Sequence, residues 1–121
     1  MILHISTPEQ LENSDTFYKC ESLITEGFIH CSEPDQVVKV ADNIFKGQSG
    51  LILLVIDPQK ITAPIKYEDA GNGKVYPHIY GPLNLDALIK VVPFEPLAGG
   101  RFSLPNELNA SHNSWILGRP A

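Results

Sequence analysis

Hydrophobic positions along the chain fall into short runs bounded by turn signals, a pattern typical of short strands with few helices. The run Leu51–Ile56 shows no polar/apolar alternation, so we expect a central strand covered on both faces. Pro64 interrupts the run at 61–68, which predicts an edge strand there. Further short strands are predicted at 2–5, 28–31, 75–80 and 88–92, with an Asn-Gly turn at 69–74 and the last strand ending before Pro93.

Capping residues mark two helix starts. Thr7, followed by Pro8 and Gln10, predicts a short helix. Ser32, with Asp35 three residues later, predicts a capping box that opens the strongest helix of the chain. Apolar residues then recur at helical spacing before Gly47 ends the helix: Val37, Val40, Ala41, Ile44 and Phe45.

These elements predict a single α+β domain at residues 1–105, built from short, mixed strands and few helices. The chain has 121 residues, 43% hydrophobic and 19% charged. A domain of this size buries roughly two thirds of its unfolded surface, so disulfides are not required. Residues 106–121 are expected to form a loosely held C-terminal tail, in which His112 is solvated and the apolar segment 115–117 could dock on the body.

Charge and composition exclude several classes of protein. The net charge of −5, with nine Lys and Arg residues and no basic run, argues against strong nonspecific nucleic-acid binding. No apolar run approaches the roughly 20 residues of a membrane span. Cys20 and Cys31 form no CxxC motif and are expected to be reduced thiols. Together with the lack of a basic leader, these features predict a cytoplasmic protein. The oligomeric state is not indicated.

Three of the four histidines lie in predicted strands or at strand ends: His4, His30 and His78. An imidazole in an apolar strand loses hydration unless a partner is supplied. One such histidine would be ordinary, but three suggest a shared site. We therefore expect the three rings to line one cleft. A hydrogen-bonded core histidine remains the alternative for His4.

Polar neighbours of these histidines predict binding contacts. Ser6 and Thr7 place hydroxyl groups near His4, where a strand meets a helix N-terminus. That setting suits a sugar, an amide or an anion. Ser32 stands two residues after His30 in a similar position, and the alternative for both Thr7 and Ser32 is a plain helix cap.

Aromatic neighbours predict stacking contacts. Phe28 shares a strand face with His30, and Tyr80 shares one with His78. An imidazole and a phenol at a strand end can stack on and hydrogen-bond an aromatic ligand, and a buried tyrosine bonded to a histidine is the alternative. Cys31 faces away from His30, so no Cys–His nucleophilic pair is expected.

Two further hypotheses are that a glutamate supplies an acid to the cleft and that the histidines bind a metal. Glu26 and Glu68 could each supply an acid to the cleft, although both are more typical of solvent-facing positions. Three neutral histidines around an open position are also a known catalytic zinc arrangement. Here they come from three separate segments without an HxH or HExxH motif, so the sequence neither supports nor excludes a metal.

Four strings of the chain resemble an uncharacterised bacterial family, domain of unknown function 952. They are LHIST at 3–7, EGFIHCS at 26–32, LLVID at 53–57 and PHIYGPLNL at 77–85. The resemblance covers nearly all of residues 1–105 and includes the Gly-Arg-Phe that contains Arg101. It implies no established activity.

That family is in turn similar, at a distance, to the ADP-ribosyltransferase superfamily. The similarity implies a split, curved sheet that binds NAD. It further implies that His4 holds ribose hydroxyls and that His30 packs against nicotinamide. His78 occupies the place where the superfamily often has a glutamate, and it would orient an acceptor or stabilise developing charge. A carboxylate stabilises an oxocarbenium-like centre better than a neutral imidazole does. A histidine in place of the glutamate would therefore stabilise the charge of ADP-ribosyl transfer less well. Arg101 could pair with a pyrophosphate if it reaches the cleft, and a simple surface arginine is the alternative.

The leading hypothesis is therefore an NAD-binding cleft that carries out ADP-ribosyl transfer or related chemistry, with His4, His30 and His78 as catalytic residues. The predicted binding set is His4, Ser6, Thr7, Phe28, His30, Ser32, His78, Tyr80 and Arg101. A non-catalytic module that binds a nucleotide or another small ligand is one alternative, and a metal-dependent enzyme with three histidine ligands is the other.

Overall fold

The computed structural model of the chain describes residues 1–108. Within that range the strands are β1 Ile2–Ser6, β2 Phe17–Tyr18, β3 Ile29–His30, β4 Leu51–Ile56, β5 Ile65–Asp69, β6 Val75–Ile79, β7 Leu83–Asn84 and β8 Leu88–Phe94. The helices are α1 Pro8–Glu12, α2 Glu21–Thr25 and α3 Val37–Ile44, with 3₁₀ turns at Pro58–Lys60, Leu85–Ala87 and Asn106–Leu108. The expectations for His112 and for the segment 115–117 lie outside the described residues. No helix among those described is long and apolar enough to cross a membrane.

The strands form three sheets, in the orders β1-β4-β8, β3-β6-β5 and β2-β7. The α+β class is confirmed, but every pairing between these named strands is antiparallel, so the expectation of mixed strands is wrong. Parallel neighbours need a crossover connection, usually a helix. Helix α3 does follow β3, but it leads to β4 in a different sheet.

Strand β4 is the centre of its sheet and is covered on both faces, as its sequence predicts. Leu53 and Val55 pack into one core cluster, while Leu54 and Ile56 pack into the other. Leu108 belongs to the first of these clusters and is buried. The packed body of the domain therefore extends at least three residues into the segment that was expected to form a loose tail.

Helix α1 begins as its sequence predicts, with the Thr7 hydroxyl accepting from the Gln10 backbone N–H at 3.3 Å. The prediction for α3 is wrong at its start. The helix begins at Val37 with Gln36 as its N-cap, and Ser32 makes no capping bond. The reason is that the backbone of Ser32 is paired with Leu3, which holds this residue in extended structure.

The outer strands also differ from the sequence pattern at one point. β5 is the edge strand expected after Pro64. β8, however, continues through Pro93 to Phe94 instead of ending before the proline. Proline is tolerated there because β8 is itself an edge strand, where one side of the backbone has no ladder partner to lose.

Candidate functional site

The two three-stranded sheets meet at a single bridge and then separate. Backbone N–H groups of Leu3 and Ser32 each donate to the other residue's carbonyl oxygen, both at 2.8 Å. Beyond this bridge β1 and β3 diverge. The imidazole of His4 spans the opening, with Nδ1 lying 2.6 Å from the carbonyl oxygen of His30. His4 therefore adds a side-chain link between β1 and the main chain of β3 next to the Leu3–Ser32 bridge.

The other ring nitrogen of His4 is also engaged. A carbonyl oxygen can only accept, so Nδ1 donates to His30 and the neutral ring accepts at Nε2 from the Tyr18 hydroxyl, 2.8 Å away. The Ser6 hydroxyl then donates to the Tyr18 oxygen at 2.8 Å. Oε1 of Gln10, 3.2 Å from the Ser6 hydroxyl, is the alternative acceptor for the single Ser6 proton.

Burial keeps this network uncharged. Desolvation lowers the pKa of His4 to about 4, against the hydrogen bond to His30, which favours the charged ring. Burial likewise raises the pKa of the Tyr18 hydroxyl. His4 is thus a neutral, hydrogen-bonded core histidine near pH 7, the alternative that its sequence left open.

His30 and His78 form a second, separate arrangement. They lie directly opposite each other in the antiparallel pair β3–β6, and their ring centroids are 5.3 Å apart at 76°. Phe28 stacks on His78 at 4.2 Å and meets His30 edge-on at 4.7 Å. Because neighbouring residues Ile29 and Ile79 enter the core, both histidines point to the other face of the sheet.

A carboxylate on β5 orients His78. Nδ1–H of His78 donates to Oε1 of Glu68 at 2.8 Å, and the Tyr80 hydroxyl donates to the same oxygen at 2.6 Å. These two bonds, Tyr80 first and His78 second, lower the pKa of Glu68, and the bond to Glu68 raises the pKa of Tyr80. The ammonium group of Lys66 lies 4.7 Å from the centre of the Tyr80 ring.

The hydrogen bond to Glu68 determines what His78 can do. Because a carboxylate only accepts, the proton of the neutral ring stays on Nδ1 and the lone pair stays on Nε2. No described residue forms a hydrogen bond with that Nε2. Only 9% of the His78 side chain is exposed, so the ring has a defined orientation and one nitrogen available to accept a proton.

His30 has a carboxylate of its own. Its Nε2 lies 3.3 Å from both oxygens of Glu26, four residues earlier in the chain. About half of each side chain is exposed: 53% of His30 and 51% of Glu26. The two histidines are therefore held at different nitrogens, and His30 is the more accessible of the pair.

A cavity of about 840 Å³ opens beside these groups. Its size falls within the roughly 300–1,000 Å³ typical of small-molecule sites. Of the nine residues in the predicted binding set, five line its walls: His4, Phe28, His30, Ser32 and His78. Val40 and Ile44 of α3 also face the cavity, and Ile44 is 69% exposed although its helical spacing predicts burial.

The other four predicted residues are not on the walls. The Ser6 hydroxyl is hydrogen-bonded to Tyr18, and the Thr7 hydroxyl accepts the backbone N–H of Gln10 as a helix cap. Tyr80 stands behind His78, where it holds Glu68. Arg101 is exposed in a turn whose backbone pairs with Leu97. Arg101 therefore does not line the cavity and is an exposed surface arginine, the alternative that its sequence left open.

Neither a metal site nor a reactive cysteine is supported by the positions of the histidines, carboxylates and cysteines that the structure describes. Within residues 1–108, no group of three His, Cys, Asp or Glu side chains is placed to hold a metal ion. His4 in particular has both nitrogens engaged. Cys20 and Cys31 are free and buried, and burial raises the pKa of the Cys31 thiol, which keeps it protonated.

Glu68 is the residue of the candidate site to which sequence reasoning gave too little weight. Its sequence allowed an acid in the cleft but favoured a solvent-facing position. The side chain is 39% exposed and also bonds to His78 of β6 and to Tyr80 just after that strand. The signal that could have identified it is the Asn-Gly hairpin turn. With the register fixed by that turn, Glu68 lies opposite Tyr76 and diagonally next to His78.

Comparisons with known proteins agree with this fold. The crystal structure of protein CC0527 from Caulobacter crescentus matches with a TM-score of 0.80 and 24% identity, covering 88% of this chain and 96% of that chain. The solution NMR structure of CC0527 matches with a TM-score of 0.72 and 24% identity, covering 83% and 89% of the two chains. No curated protein matches. The family model described as Protein of unknown function (DUF952) matches residues 2–91, so the chain belongs to that family.

Proposed function

We propose that the cavity binds the nicotinamide-ribosyl part of NAD or of a related nucleotide and that the protein catalyses ADP-ribosyl transfer or hydrolysis there. His78 carries this proposal, because Glu68 fixes its tautomer with the lone pair on Nε2 and the residue lines a cavity of small-molecule size. A histidine held in this way is suited to take a proton from an attacking hydroxyl or water.

The aromatic side chains support a planar ligand. Phe28 packs against both histidines, and Tyr76 lies on the same cavity wall. Aromatic rings of this kind favour offset or edge-to-face contact with another ring. The nicotinamide of NAD is such a ring.

Charge restricts how NAD would lie. The acidic residues on the cavity walls are Glu21 and Asp69, and no Lys or Arg of residues 1–108 lines the cavity. Carboxylates attract the cationic nicotinamide ring of NAD and repel its pyrophosphate. The pyrophosphate would therefore lie outside the walls, with the nicotinamide riboside portion inside.

His4 has a different role from the one that the resemblance implies. Its nitrogens bond to protein groups, so ribose hydroxyls would instead meet His30, Ser32 or the carboxylates of the wall. The superfamily's glutamate also has a candidate counterpart. Glu68 would act behind His78 as a positioning residue, holding the ring that performs the proton transfer.

Calorimetry with nicotinamide riboside, NAD, ADP-ribose and nicotinamide, followed by chromatography for released nicotinamide, tests the proposal. Binding with nicotinamide release that His78→Gln reduces at least tenfold would support it. The exposed Lys39→Gln is the matched control. Binding with no release on long incubation would support the non-catalytic module instead. No heat with any of the four compounds would overturn the proposal.

A further inference from the structure

The second histidine of the pair has no necessary part in cleaving NAD. A nicotinamide that leaves as a neutral pyridine takes the bonding electrons and needs no proton. Such a reaction requires one base for the acceptor, and His78 fills that role. Yet His30 lies directly opposite His78, with a carboxylate of its own, Glu26, at 3.3 Å. A second oriented imidazole is what a substrate with a poor leaving group requires.

We propose that the site also hydrolyses uncharged N-ribosides, with His30 as the acid that protonates the departing base. This inference rests on the proposed function, because it uses the same cavity and the same base. It extends that function to a substrate class whose leaving group cannot depart without a proton.

The two histidines are held in complementary ways. Glu68 bonds to Nδ1 of His78, which leaves Nε2 of that ring to accept a proton. Glu26 accepts from Nε2 of His30, which leaves Nδ1 to donate when the ring is an imidazolium. The rings are 5.3 Å apart between centroids, so one bound ribosyl group can contact both.

The step balances as a hydrolysis. Water attacks C1′ of the ribosyl group and forms a C–O bond while Nε2 of His78 takes its proton. The C1′–N bond breaks, its electron pair goes to the base nitrogen, and that nitrogen takes the proton of His30. The products are ribose and the free base. Proton exchange with solvent then removes the proton that His78 has gained and replaces the one that His30 has given up.

The charges on the walls favour a nucleoside over a nucleotide. Glu21 and Asp69 line the cavity without a Lys or Arg among the residues the structure describes. A phosphate would be repelled there, whereas an uncharged riboside meets no such barrier. Phe28 and Tyr76 offer surfaces for its base, and Asn43 offers an amide for hydrogen bonding.

Cleavage of inosine and of nicotinamide riboside by the full chain and by three variants tests the inference. Inosine carries a neutral base that needs a proton, and nicotinamide riboside carries a cationic one that does not. For His30→Gln we expect inosine cleavage to fall at least tenfold more than nicotinamide riboside cleavage. Glu26→Gln is expected to shift the same ratio in the same direction. For Glu68→Gln, which disturbs His78, we expect both cleavages to fall by similar factors.

Each result has a separate meaning. Cleavage of nicotinamide riboside without cleavage of inosine would overturn this inference and leave the proposed function standing. Cleavage of both with equal losses in His30→Gln would also overturn it. Cleavage of neither compound would overturn the proposed function and this inference with it. His30 and Glu26 are half exposed, so their substitution leaves the core intact, and circular dichroism checks the fold of each variant.

Discussion

Nδ1 of His4 donates to the carbonyl oxygen of His30 at 2.6 Å, across the point where the two sheets separate. The ring of His4 thus bonds to the backbone of the strand whose own side chain, His30, points to the opposite face. This contact divides the three histidines into two groups. Both ring nitrogens of His4 bond to protein groups, whereas His30 and His78 each bond to a carboxylate through one ring nitrogen.

Stability should depend on pH through His4. Burial lowers its folded pKa from 6.5 to about 4, so between these values the unfolded chain binds more protons than the folded one. The His4 contribution is present above pH 6.5 and is lost as the pH falls towards 4, by about 3 kcal/mol in total. Urea unfolding at pH 7 and pH 4.5 measures it. His4→Gln, which cannot titrate, should show a smaller difference, and an equal difference would contradict the assignment.

Tyr18→Phe should destabilise the fold. It removes the hydroxyl that donates to Nε2 of His4 and accepts from Ser6, which leaves buried polar atoms without a partner. The free energy of unfolding should fall by about 1–3 kcal/mol. Tyr67→Phe is the matched control, since Tyr67 is 54% exposed and should change stability little. Equal effects of the two substitutions would argue against a structural network around His4.

Glu68→Gln should lower turnover without unfolding the protein. The amide no longer selects the Nδ1–H tautomer of His78, so the proton acceptor loses its orientation. We expect kcat for nicotinamide release to fall about tenfold to hundredfold. Tyr80→Phe keeps the bond between Glu68 and His78, so its loss should be smaller, while the pKa of Glu68 should rise. The exposed Glu12→Gln is the control, and an unchanged kcat in Glu68→Gln would exclude a role behind His78.

Arg101→Ala should leave ligand affinity unchanged. Arg101 is exposed and does not line the cavity, so it is not placed to hold a pyrophosphate inside. For the same reason nicotinamide riboside should bind at least as tightly as NAD. Calorimetry with the two ligands measures both effects. A tenfold loss of NAD affinity in Arg101→Ala would show that the pyrophosphate does reach this residue.

Local sequence signals predicted those elements whose causes lie within a few residues. The cap at Thr7, the buried strand Leu51–Ile56 and the edge strand after Pro64 all follow from local geometry. Ser32 shows the limit of such signals. Its sequence setting is that of a helix cap, but a bridge to Leu3, distant in sequence, determines its conformation instead.

The sequence predicted only part of the candidate site, because local signals do not show which residues distant in sequence become neighbours. Sequence identified His30 and His78, but strand pairing alone makes them direct neighbours. His4 has the same kind of apolar setting and differs only in its partner, Tyr18, which comes from a two-residue strand that the pattern did not indicate. Hydrogen-bond partners supplied by other strands depend on register, and register depends on the whole fold.

The central claim is that His30 and His78, and not His4, each keep a ring nitrogen available to the ligand, although all three line the cavity. NMR spectra of the imidazole nitrogens in ¹⁵N-labelled protein test it most directly, recorded while nicotinamide riboside is added. The account predicts that the resonances of His30 and His78 shift in a saturable way while those of His4 stay fixed by Tyr18 and by the carbonyl of His30. Shifts confined to His4, or no saturable shift at any of the three rings, would contradict it.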